Sequence, residues 1–205
     1  WLSAADRVYI VLGEFQAHTF DELFEGVRAI PWQQYLPKDA SFPVSGDAVR
    51  AELMSVSDIQ SIAKKAIVER MKAEYGLSFF KESGWEYPVY INNLANQVTV
   101  SLNSSGVGLN RNSKAPIRET LAAGIIHLSR WYDRPFYDIM CGSGTIAIEA
   151  ALKAQHRAPG LYRTFTAEKW SDTFAEAFAQ QRERARDLFV KHPDIQIFAS
   201  DIDPE

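Results

Sequence analysis

Residues 136–152 read Phe-Tyr-Asp-Ile-Met-Cys-Gly-Ser-Gly-Thr-Ile-Ala-Ile-Glu-Ala-Ala-Leu: a short apolar strand, a bend with two glycines, and an apolar helix opening at Thr145. No other stretch of the 205 residues restricts the fold as strongly. A strand turning sharply into a helix implies an α/β sheet, and it aims backbone N–H groups and a helix N-terminus at one point. Gly142 and Gly144 place no Cβ in the path of a ligand approaching the main chain. Asp138 stands at the strand's carboxyl end, where open α/β sheets bind their ligands. A purely structural turn would use the same glycines, so both readings stay open at this point. Two nucleotide sites fit poorly. A P-loop requires Gly-Lys-Ser or Gly-Lys-Thr where this chain has Gly144-Thr145-Ile146. A dinucleotide fingerprint would accept Ala147 as its third small residue but needs an acidic residue about 20 positions on. The suitable carboxylate is Asp201, much further downstream at the end of an apolar run, which disfavours NAD without eliminating it.

Upstream, hydrophobic patterning predicts a compact α/β unit ending near Gly108. Residues 7–12 alternate like a strand, and Thr19 with Glu22 forms a capping box for a helix carrying Phe20, Leu23, Phe24, Val27 and Ile30 on one face. Pro31 stops that helix. A second strand is expected at 49–53, then a long helix capped by Ser57 and Gln60 and ended by Gly76. Its stripe is Ile59, Ile62, Ala63, Ala66, Ile67 and Met71. Residues 87–91 and 98–102 read as a hairpin turning around 92–96. After a glycine- and asparagine-rich stretch at 106–114, a helix from near Pro116 to about Arg130 is expected to bury Leu121, Ile125 and Leu128. A further helix at 173–190 docks through Phe174, Phe178, Ala185 and Phe189, and residues 195–201 form the next strand.

Composition limits the rest. A 46% hydrophobic content supports real cores in one large or two small domains. A single cysteine, Cys141, excludes an internal disulfide framework and agrees with a reducing cytoplasm. No apolar run approaches the ~20 residues of a membrane span, and none at the N-terminus suits a signal peptide. A net charge of −4 argues against a strongly basic nucleic-acid binder, although a local basic face would suffice. Lys64, Lys65, Arg70 and Lys72 offer such a face, or an ordinary solvated one; Trp32, Tyr35 and Trp85 offer stacking surfaces, or core. Arg157, Arg163, Arg182, Arg184 and Arg186 read as solvated and ion-paired. His18 has no partners at metal-ligand spacing.

The string Asp138-Ile139-Met140-Cys141-Gly142-Ser143-Gly144-Thr145, taken with Ser200-Asp201-Ile202-Asp203-Pro204, resembles the S-adenosylmethionine site of Rossmann-fold amino-methyltransferases. More narrowly, it resembles the THUMP-containing large-subunit ribosomal RNA guanine-N2 methyltransferases, some of which are labelled N6-adenine DNA methylases. Residues 114–123 are similar to that family's helix before the methyltransferase sheet, and residues 20–24 and 55–58 to its THUMP region. The fold class so implied is α/β: a THUMP-like RNA-binding domain at 13–108, a linker at 109–115, and the first part of a Rossmann-like methyltransferase domain at 116–205. Residues 1–12 would end a preceding ferredoxin-like segment. The resemblance implies S-adenosylmethionine as cofactor, structured RNA (23S rRNA) as partner and a cytoplasmic, membrane-free location.

The same resemblance assigns cofactor binding to Asp138, Cys141, Gly142, Ser143, Gly144, Thr145 and Asp201. Asp138 would face the methionyl amine and Asp201 the ribose hydroxyls, with Asp203 as the other candidate for the ribose. Cys141 has no neighbouring base in sequence, which favours small-residue packing over a nucleophile's role. The family's Asn-Pro-Pro-Tyr-type loop, which polarises the target amine, occurs nowhere in the chain, so no catalytic residue is assigned. It is expected beyond Glu205, and the opening on Trp1 without methionine suggests a missing upstream segment or processing. Two other readings share these residues: a DNA adenine-N6 methyltransferase, and a nonenzymatic RNA-binding module with a vestigial methyltransferase half.

Overall fold

A computed structural model describes residues 1–108 and 117–202. The chain divides into two compact units. One comprises Val8–Gly106 with Phe165–Asp172; the other comprises the remaining segments, Trp1–Arg7, the stretch from Val107 to Thr164, and the chain from Thr173 onward.

The first unit is a two-layer α/β sandwich. Its sheet runs β1 (Tyr9–Gln16), β4 (Gln97–Asn103), β3 (Val89–Leu94), β2 (Val44–Val49) in spatial order, with β2 parallel to β3 and the other pairs antiparallel. Helices α1 (Phe20–Ala29) and α2 (Val56–Tyr75) pack on each other, with α2 also against β2. The capping box predicted for α1 is present: the Glu22 amide donates to Thr19 Oγ1, and Glu22 Oε2 accepts from the Thr19 amide. Leu23 and Val27 are buried from α1, and Ile59, Ala63, Ala66, Ile67 and Met71 from α2, against Val89, Ile91, Val98, Val100 and Leu102 of the sheet. Gly76 closes α2 with φ 63°, the left-handed conformation that glycine tolerates best. The β3–β4 hairpin turns on Ala95 and Asn96, both at positive φ, the pattern whose twist suits a two-residue connection.

Two expectations fail here. The second strand is Val44–Val49, not 49–53, and Arg50 leaves it at φ 53°. A Cβ on Gly46, within this strand, would lie 2.3 Å from the Ile91 carbonyl oxygen. The glycine is there because the parallel neighbour comes too close for a side chain. Helix α2 starts at Val56 behind Ser55, with no side-chain cap, and Ser57 Oγ lies 3.2 Å from Ser55 Oγ. Residues 165–172 join this unit through Trp170, whose ring stacks on Tyr87 at 5.0 Å and whose Nε1 donates to the Glu86 carbonyl.

The second unit holds α3 (Glu119–Leu128), β5 (Phe136–Asp138), α4 (Thr145–Ala154), most of α5 (Asp172–Asp187) and β6 (Ile197–Ala199). β5 and β6 pair in parallel, Phe136 opposite Ile197 and Asp138 opposite Ala199. α3 packs on α4, and its buried residues are Ala122, Ala123 and Ile126. Leu121, Ile125 and Leu128, expected in the core, face outward at 58%, 43% and 85% exposure. Small residues let two helices approach closely, so the alanine face takes the contact and the bulky face is left over. The expected start at Pro116 lies outside the described residues. α5 ends at Asp187, earlier than expected, and Ala185 is its buried residue, clustered with Ala158 and Leu161.

Candidate functional site

The parallel pairing of β5 and β6 is what assembles the glycine turn. Hydrogen bonding continues past the strand ends: the Ser200 amide donates to the Asp138 carbonyl at 2.9 Å and the Cys141 amide to the Ser200 carbonyl at 3.0 Å. That ladder brings Asp201 alongside the turn, where its Oδ2 accepts from the Gly142 amide at 2.8 Å. The turn closes through the Gly144 amide to the Cys141 carbonyl at 2.8 Å. Gly142 and Gly144 hold φ 51° and 76°, and Gly144 is itself the N-cap of α4, with no side chain to occupy the helix's first amides. Among the described residues, a Cβ added to Gly142 would meet no atom within 4 Å, so they leave the space beside this main chain open.

The polar groups around the bend have distinct surroundings. Ser143 Oγ and Thr145 Oγ1 lie 3.2 Å apart, with Thr145 buried. Cys141 is partly buried, its Sγ 3.7 Å from the Gly142 carbonyl oxygen. Asp138 Oδ2 is enclosed and has no hydrogen-bond partner among the described residues. An enclosed carboxylate oxygen without a donor is costly, and a ligand ammonium would remove the cost. Asp138, the stretch from Cys141 to Thr145, and Asp201 therefore meet at one place; Asp203 lies outside the described residues. The 59-residue gap between Gly142 and Asp201 carries no sequence signal for their hydrogen bond. Only strand pairing reveals it.

In the first unit the proposed basic face is largely neutralised. Lys64 Nζ pairs with Glu82 at 2.6 Å, Lys65 with Glu69 at 3.9 Å, and Arg70 with Glu74 at 3.5 Å. Trp32 is wholly buried and donates its Nε1–H to the Val27 carbonyl, whereas Trp85 is exposed beneath Lys169 Nζ, 5.2 Å from its ring centre. His18 Nδ1 lies 2.7 Å from Glu52 Oε1, and no group of metal-ligating side chains occurs among the described residues. Nor, among them, is any helix long and apolar enough to cross a membrane.

Comparison with known proteins finds two family matches along the chain. Residues 17–103 match the THUMP domain family, and residues 110–205 match the family described as UPF0020, RMKL-like, methyltransferase domain. A Bacillus subtilis (strain 168) protein named "Putative RNA methyltransferase YpsC" is 44% identical over 99% of this chain and 55% of its own length. The crystal structure of "a predicted N6-adenine-specific DNA methylase" from Listeria monocytogenes is 45% identical, with TM-score 0.88 over 99% of this chain and 56% of that one. A third, "SMU.472, a putative methyltransferase complexed with SAH", is 38% identical, with TM-score 0.88 over all of this chain and 56% of its own. The chain spans about half the length of these relatives. Along the chain, a region similar to THUMP domains is thus followed by one similar to RMKL-like methyltransferase domains of the UPF0020 family.

Proposed function

We propose that this chain binds S-adenosylmethionine at the glycine turn and belongs to an enzyme that methylates an exocyclic amine of a base in RNA, the finest reading being guanine N2 of large-subunit ribosomal RNA. The observation that carries the proposal is the enclosed, donorless Asp138 Oδ2 beside an open, side-chain-free bend. A cationic amine suits the first and a nucleoside's backbone-contacting portion suits the second. When bound, S-adenosylmethionine would supply a methyl group on a sulfonium. Asp138 would accept hydrogen bonds from the ligand's ammonium. The amides of Ser143 and Thr145, at the uncapped start of α4, would face its carboxylate. Asp201, braced by the Gly142 amide, would accept from the ribose hydroxyls. Positioning is most of what a protein contributes to an in-line displacement. Support comes also from a 38%-identical neighbour solved with SAH and a 44%-identical relative named for RNA. The reducing compartment suggested by the lone Cys141 makes the cytoplasm the natural location.

Isothermal titration of the chain with S-adenosylmethionine tests this. Saturable heat is expected, weakened at least tenfold by Asp138→Asn and by Asp201→Ala; absence of heat in the parent chain would sink the proposal. A second reading, methylation of adenine N6 in DNA, is favoured by the name of the Listeria neighbour. Tritium transfer by the full-length enzyme separates the two: incorporation into unmodified ribosomal RNA and not into DNA supports the first.

A further inference from the structure

A groove of about 390 Å³ runs along α4 in the second unit, with Ile148, Leu152 and Pro159 as its apolar wall and Arg157, Tyr162 and Arg163 as its polar one. Among the described residues no carboxylate lines it. Arg157 departs from the ion-paired reading of its sequence: among the described residues it makes no salt bridge, and its guanidinium lies 5.1 Å from the Tyr162 ring centre. Tyr162 itself is 81% exposed, which leaves most of its ring free for another planar group. Arg163 is held in place by the Asp6 carbonyl at 3.3 Å and by the Val107 carbonyl, and its own carbonyl accepts from Arg182 Nη2 at 2.7 Å. Burial, and secondarily the charge of Arg7, pull the Arg163 pKa below its ordinary value, with Asp6 opposing; an arriving anion would relieve both effects.

The groove also adjoins the glycine turn. Ile148, in its wall, lies one helical turn from Gly144, and its Cδ1 would be 3.8 Å from a Cβ placed there. Cationic guanidinium planes beside an exposed aromatic ring fit a chain of phosphates and unstacked bases. We infer that this groove is the track along which a single-stranded segment of the RNA substrate reaches the cofactor site, with a base stacked on Tyr162 and Arg157 and a phosphate held by Arg157 and Arg163. The inference rests on the RNA reading above and adds where the strand lies.

Fluorescence anisotropy with a fluorescein-labelled 15-nucleotide single-stranded RNA tests it, using a salt series. Arg157→Ala is expected to weaken binding at least fivefold and to reduce the slope of log Kd against log salt by about 0.7, one single-strand phosphate contact. Tyr162→Ala is expected to weaken binding at least fivefold with the slope unchanged, and Tyr162→Phe to retain it. Arg184→Ala, the same charge change on α5, is expected to stay within twofold of the parent. S-adenosylmethionine binding by all four variants should match the parent, which separates this test from that of the cofactor site. The track is refuted if the parent does not bind the RNA, if Arg157→Ala and Tyr162→Ala stay within twofold, if DNA of the same sequence binds more tightly, or if either variant loses cofactor binding as well.

Discussion

The two units bury apolar surface in opposite ways. The THUMP unit closes on itself: Trp32, Phe42, Ile67, Met71 and Ile91 are inaccessible, and the sheet and both helices contribute to one continuous core. The methyltransferase unit has a smaller, alanine-rich interior and leaves large side chains outside, including Leu128, Met140 and Ile202. In this second unit, main chain at the carboxyl ends of β5 and β6 is also kept open. The glycines make the same contrast at single positions. In the THUMP unit Gly26 is required by contact, since a Cβ there would lie 2.3 Å from the Phe15 ring. In the methyltransferase unit Gly142 faces nothing within 4 Å.

The largest effect expected from this contrast is on the THUMP core. Trp32→Ala removes a buried indole and its hydrogen bond to Val27, and should cost about 3–5 kcal/mol in denaturant unfolding monitored on THUMP-unit signals. A cost below ~1 kcal/mol would show that the core is looser than its burial implies. Next comes the pair of glycines. Gly26→Ala should cost about 1–3 kcal/mol through overpacking against Phe15, with no effect on cofactor affinity. Gly142→Ala should cost about 1–2 kcal/mol from its left-handed φ of 51°, yet abolish S-adenosylmethionine binding in calorimetry. If both lose stability alone, the open-bend reading fails.

A smaller effect is the pH dependence at the start of α1. Glu52 raises the His18 pKa, through its hydrogen bond first and then its charge; amide bonds from His18 and Thr19 lower that of Glu22. His18 therefore contributes stability in full below its unfolded value of 6.5 and loses it as pH rises through the higher folded value. Glu22 contributes above its unfolded 4.5 and loses it as pH falls through the lower folded value. Thermal melts of the THUMP unit should thus peak between about 4.5 and 6.5, and Glu52→Gln should flatten the alkaline side only. A symmetrical loss in that variant would exclude the His18–Glu52 pair as the cause. Smallest of all, Leu128→Gln should change the chain's stability by no more than about 0.5 kcal/mol, because the side chain is 85% exposed. A larger loss would mean that the face is covered in solution.

Local chemistry was sufficient for several elements. The Thr19–Glu22 capping box, the stripe of α2, Gly76 at its end, the hairpin before Asn103 and the glycine turn opening α4 all follow from interactions between residues a few positions apart. The bend from Asp138 to Thr145, the proposed cofactor site, is local in the same sense. What local chemistry cannot express is proximity across the chain. Gly46 has no evident reason in sequence until Ile91 lies beside it, and Trp32 and Trp85 look alike until one is enclosed and the other is not. Leu128 and Ala122 swap their expected roles once α4 selects the face of α3 that allows the closer approach. Asp201, 59 residues on in sequence, becomes a neighbour of Gly142 through the pairing of β5 with β6. Periodicity states which faces a segment has; packing decides which face is used, because burial depends on what arrives opposite.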